Sequence, residues 1–217
     1  MLVNKLKKYL NFENGFFIEV GAHDGIFQSN TLNLEESLGW KGILIEPSLN
    51  AYLECIKNRP KSICINLALT SFEQYKKKEF VFGDFNSSPM SSVAANRSGF
   101  SKFENLKNYL SGITKKKLRP VSTAPLQLII DKIGIDKVDF LSLDVEGFEY
   151  EVLKGVNFNK CRPKYILIEV REIQKKNIFD LMLGLNYTFL ENISNFNKSD
   201  FPKWDGTHQD YFFKSND

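Results

Sequence analysis

Phe16-Phe17-Ile18-Glu19-Val20-Gly21-Ala22-His23-Asp24-Gly25 is the stretch on which the fold of this 217-residue chain turns. The run FFIEV suits a strand buried on both faces of a parallel sheet. It breaks into Gly21-x-x-x-Gly25, after which Ser29, Asn30 and Thr31 stand ready to cap a helix through Leu32, Leu34, Glu35, Leu38 and Trp40. Strand, glycine turn and helix together present backbone N–H groups to a ligand at the carboxyl end of a sheet. The spacing is not G-x-G-x-x-G, so the dinucleotide fingerprint fails. The next apolar run, Gly42-Ile43-Leu44-Ile45-Glu46, ends in an acid where a nucleotide-binding α/β fold meets a ribose. A carboxylate there accepts from two neighbouring hydroxyls.

An acid at each strand end, Glu19 and Glu46, points to an adenosine ligand without a pyrophosphate. Glu19 repels a diphosphate but suits the cationic amino-acid end of S-adenosylmethionine. The alternative is an ordinary βαβ unit whose glycines serve only tight packing.

Length and composition bound the rest. The chain reads as one domain over residues 1–217, long enough to bury a full core. At 42% hydrophobic and 25% charged it is an ordinary folded mixture, not a disordered one. A net charge of +3 is too mild to demand a nucleic-acid partner, and the lysine triplets at 76–78 and 115–117 read as solvated loops. Cys55, Cys64 and Cys161 are odd in number and lack C-x-x-C spacing, which favours reduced thiols in a cytoplasmic enzyme over disulfides or a zinc cage. No run approaches 18 apolar residues, so no membrane span is expected. Near the start, Leu2, Leu6, Tyr9 and Leu10 at helical spacing describe a short helix packed on the domain.

Further βα units follow. Residues 48–57 read as a helix that Pro60 ends, and residues 62–69 as a third buried strand. Glu79-Phe80-Val81-Phe82 reads as a hairpin arm or edge strand. Residues 84–122 are loop-like, with a short helix at 103–110, and an insertion of that kind reads as a lid over the substrate. Regularity returns with a helix over 125–133, a strand over 138–144 and a helix over 148–155. A strand over 163–170, a helix over 178–183 and strands over 187–190 and 209–213 complete the chain. Successive βα units imply a parallel sheet with right-handed crossovers.

FIEVGAHDG with Ser29-Asn30-Thr31, ILIEPS at 43–48, Asn66-Leu67-Ala68-Leu69 and FLSLDVEGFEYEVLKG at 140–155 resemble the FkbM family of S-adenosylmethionine-dependent methyltransferases. The resemblance covers most of residues 16–170 and is most specific at Asp144-Val145-Glu146-Gly147-Phe148-Glu149. It implies an α/β, Rossmann-like, seven-stranded, mostly parallel sheet of order 3-2-1-4-5-7-6, strand 7 antiparallel, with helices on both faces. It also implies methyl transfer to a hydroxyl, commonly on a sugar in natural-product, capsule or surface-glycan biosynthesis. By position, Glu19, Gly21, Ala22, Asp24 and Gly25 would line the methionine and ribose side, and Ser29 and Asn30 would bind the carboxylate. Glu46 would hold the ribose, Pro47 and Ala68 would lie near the adenine, and Asp144 would face the departing methyl group. Two departures stand out: Glu19 where the family often has Asp, and Ser142 where it often has Lys.

Transfer from a sulfonium to oxygen needs an in-line approach and a base or Lewis acid beside a weakly acidic hydroxyl. Asp144 and Glu169 end two strands and His208 precedes the last, so an antiparallel last strand would bring all three to one rim. In one version His208 is the general base, oriented by a carboxylate. In the other, Asp144, Glu169 and His208 ligate a divalent metal, Mg, Mn or Fe(II), that holds the sugar oxygen. Glu146 reads as a cap for the following helix. Phe196, Phe201, Trp204 and Tyr211 read as core or as a sugar platform. Arg97, Arg119 and Arg171 are the candidates to grip the diphosphate of a nucleotide-sugar acceptor.

The partners expected are therefore a sugar or nucleotide-sugar acceptor and, in the assembly, a second copy of the chain, with no nucleic acid. Two other readings compete. An RNA methyltransferase predicts RNA binding with a steep salt slope. A non-catalytic cofactor-binding subunit predicts that Asp144, Glu169 and His208 are dispensable.

Overall fold

A computed structural model of the chain describes residues 2–77, 81–84, 93–94, 118–202, 204 and 206–217. Seven strands form one sheet: β1 (Phe16–Val20), β2 (Lys41–Ile45), β3 (Ile63–Ile65), β4 (Phe140–Leu143), β5 (Tyr165–Arg171), β6 (Tyr187–Asn192) and β7 (His208–Ser215). Their order is β3-β2-β1-β4-β5-β7-β6. Every pairing is parallel except those of β7, which runs antiparallel to both β5 and β6. The helices are α1 (Leu2–Leu10), α2 (Leu32–Leu38), α3 (Leu49–Asn58), α4 (Phe72–Lys76), α5 (Leu126–Ile133), α6 (Glu149–Leu153) and α7 (Lys175–Gly184). Among the described residues no helix is long and apolar enough to cross a membrane.

Side chains alternate across a strand, and here the alternation sorts the core into two layers. Ile18, Val20, Ile43, Ile45, Leu141, Leu143, Ile166, Ile168 and Phe213 belong to the cluster shared with α5, α6 and α7. Phe17, Leu44, Phe140, Leu167 and Phe212 belong to the opposite cluster, with Leu6 and Leu10 of α1 and Leu34 of α2. On this second face the residues turn polar towards the carboxyl ends of the parallel strands. Phe17 is followed at the next same-face position by Glu19, Leu44 by Glu46, Phe140 by Ser142 and then Asp144, and Leu167 by Glu169. On β7, which runs the other way, Asp210 precedes Phe212. Register places Glu19 beside Ser142 and Glu169 beside Asp210. One rim of one face is therefore acidic because of where each apolar strand stops.

Three elements differ from the sequence reading. The strand expected over 62–69 is two: β3, then Ala68–Leu69, which pairs with Thr123–Ala124 outside the main sheet. Asn66 causes the break, because its Nδ2 donates to the carbonyls of Glu46 and Pro47 at 2.9 and 3.0 Å and turns the chain. α2 stops at Leu38, where Gly39 takes a left-handed φ of 67°, so Trp40 leaves the helix and buries its ring, with Nε1 donating to the Phe12 carbonyl at 2.6 Å. The last strand begins at His208 and runs to Ser215, longer than expected.

Val81–Asp84 pairs antiparallel with Val93–Ala94 and with Leu118–Val121. The rest of the lid expected at 84–122, including the helix at 103–110 and Arg97, lies outside the described residues.

Candidate active site at the carboxyl rim

A cleft opens at that rim between β1, β2 and β4, with about 710 Å³ of space including that open to solvent. Glu19 to His23, Phe27 to Asn30, Glu46, Pro47, Ser142 and Asp144 to Glu146 line it. A smaller apolar recess beside it, lined by Val20, Pro47, Leu67, Ala68, Leu69, Val145 and Phe148, shares three of those residues.

The glycine turn is built for close approach. Gly21 has φ +83°, and a Cβ there would lie 1.8 Å from the backbone carbonyl oxygen of Asp144. Gly25, at φ +79°, packs on Arg59 and Cys55. Asp24 turns its Oδ1 to the N–H groups of Ile26 and Phe27, at 2.9 and 2.7 Å, and so holds the turn from within. Burial works to raise its carboxyl, but those N–H groups and the neighbouring His23 together leave it lowered.

Glu19 is buried and fully engaged with the following loop. Its Oε1 accepts from Asn30 N–H at 2.7 Å, and its Oε2 from the hydroxyls of Ser29 and Thr31 at 2.8 and 2.6 Å. Burial raises its carboxyl against those donors and against Arg59. Glu19, which the sequence reading set against the ligand's amino group, lines the cleft and also anchors the loop that forms its wall. Ser29 caps α2 by accepting from Leu32 N–H at 3.1 Å, while Asn30 Nδ2 donates to Ser142 Oγ at 3.0 Å. Ser142, standing where a lysine is common in the resembling family, thus ties β4 to that wall.

Arg59 was not singled out in the sequence. Wholly buried at the end of α3, it donates to the Gly25 carbonyl at 3.0 Å, to Ser29 Oγ and Thr31 Oγ1 at 3.2 Å and to Glu35 Oε2 at 3.1 Å. It lies 3.8 Å from Glu19. In sequence it is one of three cations, Lys57, Arg59 and Lys61, around Pro60, with nothing to set it apart.

Glu46 accepts at Oε2 from His23 N–H at 2.9 Å and at Oε1 from Ser48 N–H at 2.7 Å, which ties β2 to the glycine turn. Each oxygen keeps a further acceptor site. Burial raises its carboxyl against those donors. Pro47 and Ala68, expected near an adenine, both line the apolar recess.

On the other side of the cleft the acids crowd. Asp144 Oδ1 is buried with no hydrogen-bond donor. Burial, then the neighbouring Glu146, Asp210 and Glu149, push its carboxyl well up. Glu169 rises to about 10 through burial and then Asp144, Glu146 and Asp210. Asp210, missed in the sequence although it alternates with Phe212, rises to about 6 through burial, against Ser194 and His208. His208 Nε2 stands 3.9 Å from Glu169 Oε2. Glu146, expected to cap α6, instead pairs with Arg171. Glu149, the first residue of α6, folds back on the preceding turn, its Oε1 accepting from Val145 and Gly147 N–H at 3.1 and 2.9 Å.

Of the three residues expected to converge, Asp144 lies near enough to raise Glu169, and His208 lies 3.9 Å from Glu169. Among the described residues no three His, Cys, Asp or Glu side chains are placed to hold a metal ion. Burial, and then the neighbouring acids, raise the carboxyls of Asp144 and Glu169.

The methyltransferase FkbM domain matches residues 19–203. No curated protein matches the chain. Among solved structures, an FkbM methyltransferase from Methylobacillus flagellatus KT superposes with a TM-score of 0.50 at 13% identity, over 91% of this chain and 43% of its own. TrmK of M. capricolum in complex with S-adenosyl-homocysteine gives 0.50 at 11% identity, over 99% and 67%. A TehB-like S-adenosylmethionine-dependent methyltransferase from Corynebacterium glutamicum gives 0.50 at 8%, over 99% and 88%. At these identities the likeness is one of fold, and it is the fold of the seven-stranded sheet described above.

Proposed function

We propose that this chain, which belongs to the FkbM methyltransferase family, moves a methyl group from S-adenosylmethionine to a sugar hydroxyl. The acceptor in this reading is a nucleotide-linked sugar or a glycan of capsule or surface-polysaccharide biosynthesis. One observation carries it: the cleft that an adenosine would fill runs into a row of acids containing Asp144 Oδ1, buried and without a donor. A sulfonium supplies both the positive charge that this row lacks and the electrophilic methyl group.

The residues divide the work. The second lone pairs of Glu46 receive the ribose hydroxyls, and the recess under Pro47 and Ala68 takes the base. Transfer releases the acceptor's hydroxyl proton. Asp210, raised only to about 6, is ionised at neutral pH and can take it, as can the imidazole of His208. Glu169, raised to about 10, holds its own proton and donates to a sugar oxygen instead. The RNA reading fares worse, because the acceptor side gathers the carboxyl groups of Asp144, Glu146, Glu149, Glu169 and Asp210 where a phosphate backbone needs cations.

Incubating the protein with S-adenosylmethionine and a panel of nucleotide sugars, followed by mass spectrometry, tests this. A one-methyl mass gain on a sugar hydroxyl is the expected result. Methylation confined to RNA, or none at all from a protein that binds the donor, would overturn it.

A further inference from the structure

The segment between β6 and β7 brings three aromatic rings to the acid row. Phe196 meets Phe201 edge-on with centroids 5.0 Å apart and meets Trp204 at 6.2 Å. Both Phe196 and Trp204 stand nearly perpendicular to the His208 ring, at 5.7 and 6.5 Å. All of these rings are only partly buried.

This group is rigidly mounted. Gln209 Oε1 accepts from Phe196 N–H and Gln209 Nε2 donates to the Phe196 carbonyl, each at 2.8 Å, so the ring's backbone is clamped to β7 from both sides. Trp204 Nε1 donates to the His208 carbonyl at 3.0 Å. Ser194 donates to Gln209 Oε1 at 3.1 Å and accepts from Asp210 N–H at 2.8 Å, which joins the aromatic segment to the acid opposite Glu169. Such bonding is more than a loose hydrophobic cover would need.

We propose that Phe196 and Trp204 form the acceptor platform: a neutral pyranose lies with its C–H face on the rings and its hydroxyls toward Glu169 and Asp210. The assignment rests on the sugar methyltransferase reading and narrows it. A pyranose is amphipathic in the way this corner is, because axial C–H groups carry slight positive charge and favour the negative face of an aromatic ring. Its hydroxyls suit carboxyl partners, which both accept and, when protonated, donate. Phosphate suits neither the rings nor the acids, and Arg171, opposite His208 on β5, is engaged by Glu146. The unit that enters is therefore the uncharged sugar ring, and any phosphate it carries must trail away from the rim.

The chain has two tryptophans, and Trp40 is only 1% exposed, so ligand-induced changes in emission report on Trp204. Methyl α-hexopyranosides, as a panel of gluco, galacto, manno and rhamno epimers, are titrated into protein saturated with S-adenosylhomocysteine. Fluorescence and saturation-transfer NMR are the readouts. A binding epimer should shift the emission and receive saturation at its ring C–H protons. Trp204→Ala and Phe196→Leu should each weaken it about tenfold or more, with S-adenosylhomocysteine affinity within about twofold of the parent, and Trp204→Phe should restore most of the loss. Glycoside affinity unchanged in both Trp204→Ala and Phe196→Leu overturns the platform and leaves the sugar reading intact. No glycoside binding by a parent protein that holds S-adenosylhomocysteine overturns both.

Discussion

Arg59 has no exposed surface, yet its guanidinium meets the glycine turn, the loop after it and two glutamates. A charge taken so far from water is tolerable only while its partners remain. Arg59→Met should therefore cost about 3–5 kcal/mol, because it strands Glu35 and Glu19 in the interior, and urea denaturation measures that directly. A variant that unfolds at the parent's midpoint would show the network to be dispensable. Gly21 is constrained by space instead. Its left-handed backbone and the Asp144 carbonyl against it leave no room for a methyl group. Gly21→Ala should abolish S-adenosylhomocysteine binding in a thermal-shift assay, whereas the same change at Gly134, where a Cβ would meet nothing, should leave binding intact.

At the scale of elements, the rim is made by strands that stop being apolar. β4, β5 and β7 each contribute an acid on one face, and each acid is raised by burial and then by its neighbours, except Asp210, whose neighbours oppose the effect. Raised carboxyls bind protons in the fold that the unfolded chain has already released, so the native state gains most at low pH. The contribution of these acids to stability should be full below about pH 4 and should fall as pH climbs through 6 towards 10. Asp210→Asn should relieve on the order of 2–3 kcal/mol of that penalty at pH 8 and almost none at pH 4, read from urea melts at both values. An equal effect at the two pH values would contradict the cost of holding Asp210 ionised in the interior. The turn after β4 offers a second test: Glu149→Leu strands the N–H groups of Val145 and Gly147, which should cost about 1–3 kcal/mol apiece and loosen the cleft wall. Much of this was legible beforehand. FFIEV, GILIE and FLSLD announce strands ending in acids, and the carboxyl rim follows from parallel order. Asp210 was hidden because its strand runs backwards, so its acid comes before the apolar residues instead of after them. Arg59 and Asn66 gave no periodic signal at all, since each acts through a single side chain bridging segments distant in sequence.

Across the whole molecule, one sheet sets a cleft beside an aromatic corner, with the acid row between them. The parallel half, β1 to β4 with the turns after β1 and β2, builds the cleft, and the antiparallel return of β7 carries His208, Asp210 and the aromatic segment to the same rim. Division of labour along the rim means that damage should be separable: changes at Phe196 or Trp204 reach the acceptor, and changes at Glu46 reach the donor. The central claim is that Glu46 and the glycine turn hold an adenosine at this rim, and calorimetric titration with S-adenosylhomocysteine tests it most directly. The parent protein should bind with a clear heat, and Glu46→Gln, which replaces one accepting oxygen by an amide, should weaken binding by about tenfold. No heat from the parent, or equal affinity in the two proteins, would contradict it.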